Sequence, residues 1–181
     1  MDMRQERCRI AALQGASSAT IQGFLSDFAA RLAGEGRKVA GVVEIAAADG
    51  PACGQLALRD LSTGSVFSIS QDLGSGSSSC NMDPSGIAEA CAAVERSIAA
   101  GADLIIISKF GKLEAERGGM RDAFAAAVAA GLPILTAVSP AVAEAWSVFA
   151  GPLSRFLPVD STLVHAWWSD IRTAPDLPAA G

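Results

Sequence analysis

In the first quarter of the chain, two short apolar runs flank a segment whose apolar residues have the spacing of an α-helix. This pattern constrains the fold more than any other feature. A short apolar run, CRIAAL over residues 8–13, leads into the Gly/Ser-rich turn of residues 14–18. From Ile21 to Leu32 apolar residues then recur at intervals of three, one, three, one and three, which places them on one face of an α-helix. A β-branched run over residues 39–45 follows. Strand, loop, helix and strand in this order predict a βαβ unit with a parallel crossover.

The rest of the chain continues this organisation. Alternating apolar residues on either side of the turn at residues 62–64 predict an inserted β-hairpin over residues 54–69. Asp83 and Pro84 predict the N-cap and first residue of a helix that runs to Ala99. The remaining predicted elements are strands at 103–107, 132–138 and 156–159, a charged loop at 108–119, and helices at 120–130, 140–149 and 161–171. We therefore expect a single α/β domain over residues 1–172 and a flexible tail over 173–181.

Composition and charge exclude several classes of function. Half of the 181 residues are apolar, 18% are charged, and the net charge is −5 with no basic stripe, which argues against a nucleic-acid partner. No apolar run reaches the roughly 18 uninterrupted residues of a spanning helix, so no membrane partner is predicted. His165 is the single histidine, so a histidine-rich metal site cannot form within one chain, and no metal ligands are assigned. The four cysteines lack C-x-x-C spacing and there is no convincing export signal, so we expect a cytoplasmic protein with reduced thiols.

Three segments resemble the P-loop nucleoside triphosphatases of the small cancer-related type. They are the opening strand, loop and helix from Ile10 to Leu32, the strand at 39–43 with the hairpin at 54–64, and the segment ADLIIISKFGKLE at 102–114. The chain resembles more closely an uncharacterised bacterial family of degenerate relatives, often encoded beside molybdate-transport genes. The resemblance implies a three-layer, mostly parallel sheet with a ligand at the carboxyl ends of its strands. It also implies a link to molybdenum metabolism.

Two departures from the motif of these enzymes distinguish this chain. A working loop reads G-x-x-x-x-G-K-[ST], in which the lysine bridges phosphates and the hydroxyl holds Mg²⁺. Here Gly15 matches the first glycine, but Thr20, Ile21 and Gln22 stand at the last three positions. Ser108 and Lys109 occupy the acidic pair that such relatives use to hold Mg²⁺ and activate water. The loss of both the phosphate clamp and the metal ligands argues against efficient hydrolysis.

The residues that remain can still bind an anion. Exposed N–H groups at a helix N-terminus attract anions, and the loop at Gly15, Ala16, Ser17, Ser18 and Thr20 adds hydroxyl donors. An alternative is that these residues only cap the helix.

The loop after the third predicted strand offers positive charge. Ser108, Lys109 and Lys112 lie on the expected ligand side of the sheet, where the lysines could replace the charge lost from the first loop. A solvated, salt-bridged surface loop is the alternative. Cys80, ahead of a predicted helix N-terminus, is a candidate redox thiol or ligand, or a loop residue without a role.

These features lead to three hypotheses. The first is a degenerate P-loop domain that binds a small-molecule anion, a nucleotide or a molybdate-like oxyanion, without efficient hydrolysis. The second is a divergent Mg²⁺-dependent nucleoside triphosphatase or phosphotransferase that uses Lys109 or Lys112 for the phosphates, with Glu114 as the candidate catalytic residue for Mg²⁺ or water. The third is an assembly partner that forms a homodimer through the hairpin and the terminal helix. The scarcity of catalytic side chains favours binding over turnover.

Overall fold

A computed structural model describes residues 8–46, 56–71 and 81–173. The candidate Cys80 and the predicted tail beyond Thr173 lie outside the described residues. The strands in chain order are β1 (Ile10–Gln14), β2 (Val39–Ala46), β3 (Leu56–Asp60), β4 (Val66–Ser68), β5 (Ser70–Gln71), β6 (Asn81–Met82), β7 (Leu104–Phe110), β8 (Ile134–Val138) and β9 (Ser154–Pro158). The α-helices are α1 (Ser18–Gly34), α2 (Pro84–Ala100), α3 (Lys112–Ala115), α4 (Arg121–Ala129), α5 (Ala143–Ala150) and α6 (Ser161–Arg172).

The strands of the described residues form a seven-stranded, mostly parallel sheet in the order β4-β3-β2-β7-β8-β1-β9. From β2 to β9 every neighbouring pair is parallel, so the carboxyl ends of β2, β7, β8, β1 and β9 share one edge of the sheet. The chain passes from β1 across to β2, returns through β7 and β8, and then places β9 beyond β1. In such a sheet, ligands bind at the carboxyl edge where the direction of winding reverses.

The predicted hairpin is confirmed, and it extends the sheet. β3 pairs antiparallel with β2, and β4 pairs antiparallel with β3. The small antiparallel pair of β5 and β6 then leads the chain from the hairpin into α2. The hairpin therefore forms a wall beside the carboxyl end of β2.

Helices cover both faces of the sheet, which confirms the predicted three-layer α/β fold. The helices α2, α4 and α5 pack on one face around a core that includes Ile105, Phe124 and Trp146. On the other face α1 and α6 enclose a second core. In α6 both Trp167 and Trp168 are buried within their own chain, and the Trp167 indole donates a 2.9 Å hydrogen bond to the Cys8 carbonyl. None of the helices in the described part of the chain is both long and apolar enough to cross a membrane.

The helix boundaries follow the capping residues in the sequence. Asp83 caps α2 by accepting a 2.9 Å hydrogen bond from the Ser85 N–H, and Pro84 is the first helical residue, as predicted. Gly131 follows the end of α4, and its N–H donates to the Val128 carbonyl. These ends are local events, which explains why residue identity alone could predict them.

The predicted charged loop at 108–119 is wrong in its first half. β7 continues through Ser108 and Lys109 to Phe110, and the short helix α3 follows at Lys112–Ala115. Phe110 is buried, and its ring lies 5.0 Å from that of Trp146 and 5.8 Å from that of Phe124. Tertiary packing around this ring keeps the polar residues before it in the strand, although their sequence is typical of a loop.

Candidate functional site

The loop between β1 and α1 contains three residues, Gly15, Ala16 and Ser17, all of them exposed. Ser17 is the N-cap of α1, and its hydroxyl accepts a 3.2 Å hydrogen bond from the Thr20 N–H and lies 2.9 Å from the Thr20 hydroxyl. Ser18 and Thr20 therefore belong to the first helical turn. Only the first three of the eight motif positions, residues 15–17, form the loop, and the hydroxyls of Ser17 and Thr20 contact each other.

The two residues that stand at the lysine and hydroxyl positions of that motif both point into the protein. Ile21 packs in the core between α1, α6 and the sheet. The buried side chain of Gln22 donates a 2.8 Å hydrogen bond to the Ser108 carbonyl and accepts a 2.9 Å hydrogen bond from the Glu44 N–H. Gln22 thus joins α1 to both β7 and β2. The sequence did not predict this role, because there Gln22 is recognised only as the replacement of the Ser or Thr that would hold Mg²⁺.

Lys109 forms an ion pair at the carboxyl end of β7. Its ammonium nitrogen lies 2.7 Å from a carboxylate oxygen of Glu44 on β2, whose side chain is 8% exposed, whereas the Lys109 side chain is 40% exposed. Glu44 was not predicted as a site residue. The available signal was a charged residue within the otherwise apolar strand VAGVVEIA. Ser108, next to Lys109, is buried.

Glu114 is buried and its carboxylate is engaged by the backbone. One oxygen accepts a 2.9 Å hydrogen bond from the Gly111 N–H, and the other accepts a 2.8 Å hydrogen bond from the Met120 N–H. Gly119 has a positive φ of 60° and packs so closely against this carboxylate that a β-carbon there would clash with it. These contacts give Glu114 a structural function in the loop, and its role as a catalytic carboxylate stays a prediction that they do not favour.

Lys112 is a highly exposed cation in this region. Its side chain is 84% exposed, and its ammonium lies 3.9 Å from a carboxylate oxygen of Glu116 one helical turn away. An exposed pair at this distance contributes at most a few tenths of a kcal/mol, so the ammonium is available to a ligand.

A cavity of about 220 Å³ opens at the carboxyl edge of the sheet, between the hairpin, α2 and the loop that follows β7. We call it the edge cavity. Its apolar lining consists of Leu58, Ile69, Met82, Ile87, Leu113 and Met120. Its charged lining consists of Glu44, Lys109, Lys112 and Glu114. Of the charged residues, Lys109 and Lys112 reach solvent and mark the mouth, whereas the Glu44 and Glu114 side chains are largely buried.

The structure groups only some of the predicted site residues. Ser108, Lys109, Lys112 and Glu114 all line the edge cavity, but the Gly15 loop does not. β8 separates β7 from β1, so the two loops follow strands about 10 Å apart. His165 lies on the α1 and α6 face, where its ring packs 4.9 Å from that of Phe28.

The donor set of this site does not fit Mg²⁺ as P-loop enzymes hold it. At the hydroxyl position, both polar atoms of the Gln22 amide are used by backbone groups. At the acidic position, Lys109 carries a positive charge that repels a cation. Within the described residues, no three His, Cys, Asp or Glu side chains gather into a metal site.

The seven-stranded, mostly parallel sheet with helices on both faces defines an α/β domain similar in fold to the P-loop nucleoside triphosphatases. The chain belongs to the family described as "Protein of unknown function (DUF2478)", whose model matches residues 10–167. It is also 42% identical over 164 residues to the "Molybdenum import ATP-binding protein ModC 2" of Bradyrhizobium diazoefficiens. That match covers 90% of this chain but only 18% of the relative's length.

Two solved structures share the fold at low sequence identity. The solution structure of a human cancer-related nucleoside triphosphatase superimposes with a TM-score of 0.57 at 16% identity, covering 91% of this chain and 94% of that one. The crystal structure of THEP1 from the hyperthermophile Aquifex aeolicus gives a TM-score of 0.58 at 15% identity, covering 90% and 95%. These similarities support the predicted resemblance to this class of fold.

Proposed function

We propose that this domain binds a small-molecule anion, either the phosphates of a nucleotide or a molybdate-like oxyanion, at the carboxyl edge of its sheet without hydrolysing it efficiently. The observation that carries the proposal is the Lys109–Glu44 ion pair, which puts an accessible ammonium where P-loop enzymes need acidic metal ligands. An ammonium carries three N–H donors, so an ion pair with one carboxylate oxygen of Glu44 leaves donors on Lys109 for an anion.

The contacts of Glu114 argue against the alternative, a divergent nucleoside triphosphatase. Phosphoryl transfer in this fold depends on a positioned cation and an activated water. Glu114, the carboxylate proposed for that step, already accepts hydrogen bonds from two backbone N–H groups. Binding therefore fits the described contacts better than turnover does.

A connection to molybdenum rests on the relative rather than on the geometry. The similar protein from Bradyrhizobium carries molybdenum import and ATP binding in its name, and this chain matches a minor part of it. We propose that the ligand or the pathway of this domain is linked to molybdenum, and the choice of test anions follows from this.

The experiment is a thermal-unfolding series with molybdate, sulfate, ATP and GTP, combined with an assay of phosphate release. A ligand at one hundred times its Kd stabilises the folded state by about 2.7 kcal/mol, which raises the Tm of a domain of this size by about 5–10 °C. We expect at least one anion to raise the Tm, with no phosphate release above buffer.

Variants locate the binding site. The double variant Lys109→Met with Glu44→Gln removes the ammonium without leaving a carboxylate unpaired, and it should abolish the shift. Lys38→Met, an exposed lysine before β2 at the opposite edge of the sheet, is the matched control and should keep the shift. Mg²⁺-dependent phosphate release would overturn the absence of hydrolysis, and no shift with any anion would overturn binding.

A further inference from the structure

The edge cavity is larger and more apolar than a bare oxyanion requires. It is an open cleft, and its volume of about 220 Å³ is well above the roughly 10–15 Å³ needed to hold one water. An enclosed cavity of about 150 Å³ lined by Leu, Ile and Phe binds benzene. An open cleft of larger volume, with an apolar lining beside two lysines, therefore has room for a ligand with an apolar part.

The walls of the cavity come from elements that pack tightly. Gly86 in the first turn of α2 approaches the Ser68 carbonyl so closely that a β-carbon would clash with it. This contact fixes α2 against the hairpin, and Leu58 and Ile87 face the cavity from these two elements. The space therefore belongs to a well-packed part of the fold.

The side chains inside the cavity favour a flat ring. Met82 and Met120 line it, and a thioether makes favourable contacts with the edge of an aromatic ring. No described aromatic side chain lines the cavity, so the ring that would complete such contacts has to come from the ligand.

The charges at the mouth specify the other end of the ligand. Lys109 and Lys112 carry the accessible donors, whereas the carboxylate of Glu114 is occupied by backbone N–H groups. Glu44 is held by Lys109. An acidic group at the mouth would thus meet two ammonium groups while the attached ring lies in the interior.

We propose that the edge cavity binds an organic anion, an aromatic or heteroaromatic ring that carries a phosphate or another acidic group, with the ring between Met82 and Met120 and the acid at Lys109 and Lys112. This inference rests on the proposed anion-binding function and narrows its ligand class. It predicts that an inorganic oxyanion uses only part of the site.

The first test compares phenyl phosphate with inorganic phosphate by isothermal titration calorimetry. Burying a phenyl ring contributes to affinity, so we expect phenyl phosphate to bind at least tenfold more tightly. Leu113→Trp narrows the cavity and should bring the Kd of phenyl phosphate close to that of phosphate, while the Kd of phosphate stays unchanged. Leu163→Trp, at an exposed leucine of α6 on the other face of the sheet, is the matched control and should change neither.

A second test does not depend on a variant. The chain has four methionines, at positions 1, 3, 82 and 120. With ¹³C-methyl-labelled methionine, the ring current of bound phenyl phosphate should shift the NMR signals of Met82 and Met120, and inorganic phosphate should not reproduce that shift.

The outcomes separate the two proposals. If phosphate and phenyl phosphate bind equally well and the Met82 and Met120 signals do not move, the inference is overturned while the anion site stands. If neither probe binds, the inference is overturned, and anion binding itself is decided by the molybdate, sulfate, ATP and GTP series. If phenyl phosphate binds undiminished in the Lys109→Met/Glu44→Gln variant, the cavity takes apolar rings without recognising an acid, and the inference as stated fails.

Discussion

The amide of Gln22 in α1 donates a 2.8 Å hydrogen bond to the backbone carbonyl of Ser108 at the carboxyl end of β7. The oxygen of the same amide accepts from the Glu44 N–H on β2, so one side chain connects three elements. The side chain at the last position of the predicted phosphate-loop motif therefore belongs to the internal hydrogen bonding of the fold.

Replacing Gln22 should destabilise the protein. In Gln22→Ala, two backbone groups near the centre of the sheet edge lose their partners, at about 1–3 kcal/mol for each unsatisfied group. We expect the free energy of unfolding in urea to fall by about 2–4 kcal/mol. Asp27→Ala, on the exposed side of the same helix, should change it by less than about 0.5 kcal/mol. A Gln22→Ala variant as stable as the Asp27→Ala control would contradict this role.

Two glycines in helices should respond in opposite directions to alanine. Gly86→Ala puts a methyl group into the Ser68 carbonyl, so α2 must move away from the hairpin. We expect a loss of about 1–3 kcal/mol in the free energy of unfolding. At Gly23 in α1 a β-carbon would meet no other atom, so Gly23→Ala should raise the free energy of unfolding by about 0.5–1 kcal/mol. Thermal unfolding of the two variants checks both signs, and equal shifts would refute the proposed close packing.

The pKa of the lone histidine, His165, should lie below its ordinary value. Partial burial lowers the pKa of His165 from its ordinary value of 6.5, and Arg31 acts in the same direction while Glu35 opposes it. The imidazole NMR signal, unambiguous because the chain has one histidine, should therefore titrate with a midpoint below 6.5. Arg31→Ala should raise that midpoint. A midpoint at or above 6.5 in the unmodified protein would contradict the burial of this ring.

The same shift has a consequence for stability. The unfolded chain takes up a proton near pH 6.5 and the folded chain only at lower pH, so stability should fall slightly as pH drops from 6.5 through the folded pKa.

Cys91 should be slow to react. Burial in α2 is the largest cause of its raised pKa, nearby carboxylates such as Glu95 add to it, and a backbone hydrogen bond from Ala123 opposes it. Little thiolate therefore forms at neutral pH, and thiolate is the species that alkylates. Iodoacetamide labelling with peptide mapping should find Cys91 modified mainly after unfolding in urea. Labelling of the folded protein at the rate of the unfolded chain would show that the thiol is accessible.

The fold was largely predictable because most of its helices and strands have local sequence signals, such as apolar spacing and capping residues. The apolar spacing from Ile21 to Leu32 predicted α1, and Asp83, Pro84 and Gly131 predicted helix ends that the structure confirms. The end of β7 was not predictable in this way. Ser108 and Lys109 are residue types common in loops, whereas the strand continues to Phe110, which pairs with Val138 on β8 and packs against Trp146.

The site was less predictable because its contacts join distant parts of the chain. No spacing in the sequence relates Lys109 to Glu44 or Gln22 to Ser108, and the edge cavity exists only when the hairpin, α2 and the loop after β7 meet. The function of Glu114 did have a local signal. A glutamate three residues after Gly111 matches the spacing at which an N3 carboxylate accepts from the N-cap N–H.

Residues 111–120 wrap around the Glu114 carboxylate, and this arrangement affects how fast the proposed ligand can enter the edge cavity. Because Gly111 and Met120 are both tied to one buried side chain, the entropy of ordering this segment is lost during folding and not again at each encounter. For the ligand proposed above, this side of the entrance to the edge cavity is therefore already ordered before binding. Association should accordingly be a single second-order step, with an observed rate that rises linearly with ligand concentration.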